Sequence, residues 1–130
     1  MNLTYDDVFA YLKELQKSLR MKTDILNVDL HMKEQRKKLY SEGFLITYGD
    51  ILQKCGLSRT DVVAHFHTLP DILNLINENS RPIRLSALVV NKEALIPGNQ
   101  YFERWQQSGH LDESEKINLW SQDLKAISKA

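Results

Sequence analysis

Leu45-Ile46-Thr47-Tyr48-Gly49-Asp50-Ile51-Leu52, running on through Cys55-Gly56-Leu57-Ser58-Arg59-Thr60, carries the densest set of structural signals in the chain. Phe44 to Thr47 is too short for a helix and rich in strand formers. Thr47 or Tyr48 opens a helix through Ile51, Leu52 and Cys55, and Gly56 stands where a left-handed residue ends it. Ser58 caps the next helix, with Asp61 three residues on completing a capping-box-like pair. Val62, Val63, Phe66 and Leu69 form its apolar stripe. Strand, capped helix, glycine stop and second capped helix is the order of a helix-turn-helix, a motif that usually presents its second helix to DNA.

On the N-terminal side, Thr4 caps a first helix with Asp6 and Asp7 in its opening turn, where the helix dipole favours acids. Tyr5, Val8, Phe9, Leu12, Leu15 and Leu19 recur at helical spacing as one apolar stripe. A second helix is expected over about Asp24 to Ser41, ending at Gly43. On the C-terminal side, Pro70 either follows the end of the motif's second helix or sits in the first turn of another, through Ile72, Leu73, Leu75 and Ile76. Arg84 to Asn91 reads as the clearest strand. Pro97-Gly98-Asn99 is a turn, after which Gln100-Tyr101-Phe102 returns as a strand or begins a short helix through Trp105. Asp112 to Ser114 opens a last helix with Ile117, Trp120, Leu124 and Ile127 on one face.

These elements describe one domain, mainly α with a small β hairpin. Residues 1–42 supply N-terminal helices, 43–105 a winged helix-turn-helix, and 106–130 a C-terminal helix. The two amphipathic terminal helices either close the core or make a homodimer. With 130 residues the chain can bury one core without staples. A single cysteine, Cys55, excludes an internal disulfide and agrees with a cytoplasmic address. No apolar run is long enough to span a bilayer, and Met1 to Asp7 lacks a signal-peptide pattern.

Seventeen basic side chains balance seventeen acidic ones, which excludes a strong non-specific DNA coat. The charge is uneven, however. Lys33, Arg36, Lys37 and Lys38 crowd one segment, where residues 33 and 37 share a helix face. That face either rests on phosphates or is simply solvated. The loop after Asn91 offers Lys92 but then an apolar run, Ala94-Leu95-Ile96-Pro97, suited to a protein partner or to packing on the domain itself. His65 and His67 are two apart and cannot form a helical metal pair. Cys55 has no base nearby in sequence and reads as core. No phosphate-binding glycine loop or nucleophile elbow appears, and no cofactor is expected.

The segment from Gly43 through Thr47-Tyr48-Gly49 to Leu57-Ser58-Arg59 resembles the winged-helix domain of the DNA alkyltransferases and their inactive alkyltransferase-like relatives. In that family the tyrosine of the threonine-tyrosine pair assists rotation of the target nucleotide. An arginine opening the second helix fills the space left in the duplex. The resemblance gives these roles to Tyr48 and Arg59. The family's Pro-Cys-His-Arg-Val-Val strand corresponds to Leu85-Ser86-Ala87-Leu88-Val89-Val90. Ser86 therefore replaces the acceptor cysteine and Ala87 the activating histidine, so alkyl transfer is not implied.

The expectation is a non-enzymatic module that binds double-stranded DNA. Arg59, Thr60 and His65 are expected in the groove, Tyr48 at its edge, and Lys33, Lys37 and Lys38 on the backbone. The competing reading is a protein-binding winged helix, such as a phage-encoded inhibitor of a bacterial defence complex or an assembly subunit.

Overall fold

The computed structural model describes residues 3–21, 28–56, 68–106 and 109–130. Helix α1 spans Tyr5–Arg20, with Thr4 Oγ1 accepting the Asp7 backbone N–H at 3.2 Å. Its stripe of Val8, Leu12 and Leu19 is buried. Helix α2, Lys33–Ser41, is shorter than its sequence suggests. The Asp29 side chain accepts the His31 N–H at 3.1 Å, and Met32 N–H bonds to Asp29 O. A side chain that captures nearby backbone in this way holds a turn in place of a helix. At the other end Gly43 has φ +85°, and Phe44 N–H reaches back to Leu39 O at 2.9 Å. That is a Schellman stop, which fixes the exit of the chain towards β1.

Strand β1 is Ile46–Thr47, and it runs directly into α3, Tyr48–Lys54, capped by Thr47 Oγ1 accepting from Asp50 N–H at 3.1 Å. Gly56 ends this stretch at φ +81°. The second helix of the motif, expected from Ser58, lies outside the described residues, as do Arg59, Thr60 and His65. Helix α4, Thr68–Asn79, takes Pro70 in its first turn, where the missing N–H has no intrahelical partner to lose. It buries Leu69, Ile72, Leu73, Ile76 and Asn77.

The region read as a strand from Arg84 to Asn91 is instead a 3₁₀ turn over Leu85–Leu88, followed by the two-residue strand β2, Val89–Val90. Three long-range or local bonds explain the coiling. Ser86 N–H donates to Asn77 Oδ1 at 3.1 Å, Ala87 N–H to Arg84 O at 3.1 Å, and Ala87 O accepts Trp120 Nε1–H at 2.7 Å. With its backbone groups taken by side chains from two helices, this segment has no need of a neighbouring strand. A short apolar run cannot by itself distinguish the two conformations.

The small sheet pairs β1 with β2 in parallel, Ile46 opposite Val89 and Thr47 opposite Val90. Parallel partners need a long crossover, here the chain from α3 through α4 to the 3₁₀ turn. The β element expected of this mainly helical chain is therefore present, but the turn after Asn91 does not join its strands. Gln100 to Phe102 belong to helix α5, Asn99–Gln106, the second of the two conformations open for them. Between β2 and α5 the loop closes on itself, Asn91 N–H to Ile96 O and Leu95 N–H to Asn91 O. Its Leu95 adopts φ +55° and is buried.

Helix α6, Glu113–Lys129, starts with a reciprocal capping box between Asp112 and Glu115. Helices α1, α4 and α6 pack around the 3₁₀ turn, and Trp120 and Phe102 are the largest side chains sealed in the core. The apolar faces of the two terminal helices thus close the core. No helix among the described residues is long and apolar enough to cross a membrane.

A candidate ligand cavity between helices α3 and α4

A cavity of about 190 Å³ opens where α3, α4, the 3₁₀ turn and the loop entering α5 converge. Leu52, Leu69, Pro70 and Leu73 supply apolar walls. Tyr48, Asn74, Ser86, Asn91, Asn99 and Gln100 supply polar ones, and Gly98 and Tyr101 complete the lining. Two of the positions that the alkyltransferase resemblance singled out, Tyr48 and Ser86, are distant in sequence yet line this one cavity. The β1–β2 pair carries the juxtaposition: Tyr48 directly follows Thr47, Ser86 lies in the 3₁₀ turn that leads into β2, and Thr47 faces Val90.

Tyr48 is aimed by the start of α3 and held by its hydroxyl, which accepts the Gly98 N–H at 2.9 Å. A Cβ on Gly98 would sit 3.2 Å from that same oxygen, so a side chain there would push the tyrosine hydroxyl back by a few tenths of an ångström. Burial pushes the Tyr48 phenol above its ordinary pKa of 10.0, against the smaller opposing effect of the Gly98 hydrogen bond. It is a neutral O–H at physiological pH. Ser86 is 6% exposed and is gripped twice by Asn77, whose Oδ1 accepts Ser86 N–H and whose Nδ2 donates to Ser86 Oγ at 2.7 Å. No carboxylate, histidine or amine lines the cavity among the described residues.

The sequence offered Asn77 no role in a site, although a polar residue one turn after Leu73, on the buried face of an apolar helix, is a signal of one. Arg36 was grouped with the basic run but behaves differently. It is 4% exposed, and its guanidinium donates to Leu30 O at 2.8 Å and Ala94 O at 3.1 Å. It therefore ties α2 to the loop that flanks the cavity and is not available to phosphate. Lys33, Lys37 and Lys38 are exposed, with Lys38 Nζ 4.0 Å from Glu42. Lys33 and Lys37 share one side of α2, and Lys38 is turned about 100° from Lys37.

Tyr40, one turn after Arg36, donates from its hydroxyl to Asp50, which joins α2 to α3. That bond, then burial, raises the Tyr40 pKa. Cys55 is half-buried, and burial followed by the charge of Asp7 raises its thiol pKa, leaving a weak nucleophile. A second cleft, about 610 Å³, lies between the end of α4 and Arg81 to Arg84, and contains none of the residues singled out from the sequence. The described residues contain no group of three or more His, Cys, Asp or Glu side chains able to hold a metal ion. No family model, no curated protein and no solved structure matches the chain.

Proposed function

We propose that this chain is a non-enzymatic winged-helix module that binds double-stranded DNA and receives one rotated nucleobase in the cavity of Tyr48 and Ser86. The observation that carries the reading is the convergence of those two residues on one small, largely apolar cavity. The resemblance to alkyltransferase-like proteins assigns nucleotide rotation to the first and the reacting position to the second. Serine in place of cysteine, with no base among the described lining residues, supports recognition as the role of the site. Arg59, Thr60 and His65 on the motif's second helix would enter the groove, and Lys33 and Lys37 on α2 would lie along phosphates. Lys38, on another side of α2 and beside Glu42, is the weakest of the proposed backbone contacts.

The protein-binding alternative drew support from the neutral charge, from Asp61 on the motif's second helix and from the apolar loop Ala94 to Pro97. Leu95 and Pro97 are buried, so the loop's share of that support is weakened. The test is duplex titration by fluorescence anisotropy at several salt concentrations. Arg59→Ala should weaken binding about tenfold or more, the scale of one lost guanidinium contact. Lys37→Ala should lower the salt slope by about 0.9, one phosphate contact. Absence of duplex binding at micromolar protein in low salt, together with stoichiometric capture of one protein, would contradict the reading.

A further inference from the structure

Arg36 and Tyr40 stand one turn apart on α2, so their side chains leave the helix as neighbours. Arg36 is buried, and its guanidinium is spread over three backbone carbonyls. Nη1 donates to Leu30 O at 2.8 Å and to His31 O at 3.4 Å, and Nε donates to Ala94 O at 3.1 Å. The first two acceptors lie just before α2, and the third lies in the loop between β2 and α5. Tyr40 grips a different segment, donating to Asp50 in the first turn of α3.

That loop is tied into one piece by Asn91 N–H to Ile96 O at 2.8 Å and Leu95 N–H to Asn91 O at 2.9 Å. Asn91 and Gly98 both line the cavity, and Gly98 N–H donates to the Tyr48 hydroxyl at 2.9 Å. Tyr48 is the first residue of α3. The two segments that α2 grips are therefore the two that meet at the Tyr48–Gly98 bond. A guanidinium taken out of water depends on the charge-assisted bonds it keeps, so a loop that drifted from Arg36 would leave a buried charge short of an acceptor. The fork of fixed donor directions also matters here, because a lysine ammonium cannot reproduce the Nε and Nη1 bonds together.

Resting on the DNA reading above, we propose that Arg36, assisted by Tyr40, is a positioning residue that locks the Tyr48–Gly98 side of the cavity in its base-receiving shape. The same two side chains join that side to α2, whose Lys33 and Lys37 lie along phosphates in that reading. Arg36 itself touches neither base nor phosphate. It governs how firmly a base is held once the protein is on the duplex, and leaves attachment to the duplex to other residues.

The experiment compares a duplex carrying one unpaired thymine with the same duplex lacking that base, both titrated against the full chain by anisotropy. Wild type should bind the first about tenfold tighter, the scale of one base stacked on protein. In Arg36→Lys that excess should fall to about threefold or less, a loss within the range of coupled neighbours, while affinity for the duplex without the base is unchanged. Tyr40→Phe should act in the same direction, and it decides alone if Arg36→Lys fails to fold. A readout without DNA accompanies these: Gly98 N–H should exchange faster with solvent in Arg36→Lys while the amides of α6 keep their protection. A merely structural arginine would lower protection throughout and would not change the excess in the folded variant. Full retention of the excess in the folded variants, or equal weakening of both duplexes, overturns the positioning role and leaves the DNA reading standing. Wild-type protein that binds neither duplex at micromolar concentration, or binds both equally, overturns the base-receiving reading and the proposal with it.

Discussion

Thr47 and Val90 face each other in the same two-residue ladder, yet the chain reaches them under different kinds of control. Thr47 ends β1 and caps α3 with its own hydroxyl, so the turn that presents Tyr48 is closed within four residues. Val90 is reached through a 3₁₀ turn whose backbone is held by Asn77 from α4 and Trp120 from α6. One wall of the cavity is therefore built locally and the other by tertiary contacts. Damage to the first should stay local, whereas damage to the second should spread to the core and the cavity together.

The strongest test of that contrast is Trp120→Ala. It empties a fully buried indole site and leaves Ala87 O without its partner, so about 4 kcal/mol of stability should be lost in a urea titration. Next is Asn77→Ala, which strips both partners from the buried Ser86 N–H and hydroxyl. About 3 kcal/mol is expected, again by denaturant, with loss of the Ser86 orientation in the cavity. Thr47→Ala removes only a helix cap and should cost about 1 kcal/mol with the far side of the cavity unchanged by hydrogen exchange. If Thr47→Ala proved as costly as Asn77→Ala, the distinction between a local and a tertiary wall would fail.

The smallest effect concerns alkaline pH. Tyr40 and Tyr48 both have pKa values raised in the folded state, Tyr40 by its bond to Asp50 and Tyr48 by burial. Above an unfolded value near 10.0 the unfolded chain binds fewer protons than the folded one, so stability falls as pH rises. Below that pH these two groups add no slope. Thermal melts from pH 8 upward should show the decline beginning at about pH 10, and Tyr48→Phe should make it shallower. An unchanged slope in that variant would show that the phenol is not desolvated as described.

The same contrast governs how much of the molecule was legible beforehand. The Thr4 and Thr47 caps, the Gly43 and Gly56 stops and the Asp112–Glu115 box are spelled by neighbours in sequence, and those helix ends stand where they were expected. The conformation of Leu85 to Leu88 depends on Asn77 and Trp120, which no local pattern connects to it. An apolar run was accordingly read as strand when side chains from other helices coil it. The start of α2 was misplaced for a related reason, since the Asp29 turn outweighs the helical pattern that precedes Met32. Of the candidate site, Tyr48 and Ser86 were visible as landmarks of a resemblance. Asn77 and Gly98 were not, because their part is to orient another residue and carries no pattern of its own.

The most direct measurement is fluorescence of 2-aminopurine placed next to an unpaired thymine in a duplex, followed as the protein is added. If the cavity takes the thymine, loss of the neighbour's stacking should raise the emission to saturation, and Tyr48→Phe should reduce the rise. Binding of the duplex with unchanged emission, equal in wild type and variant, would contradict the account of a base-receiving cavity.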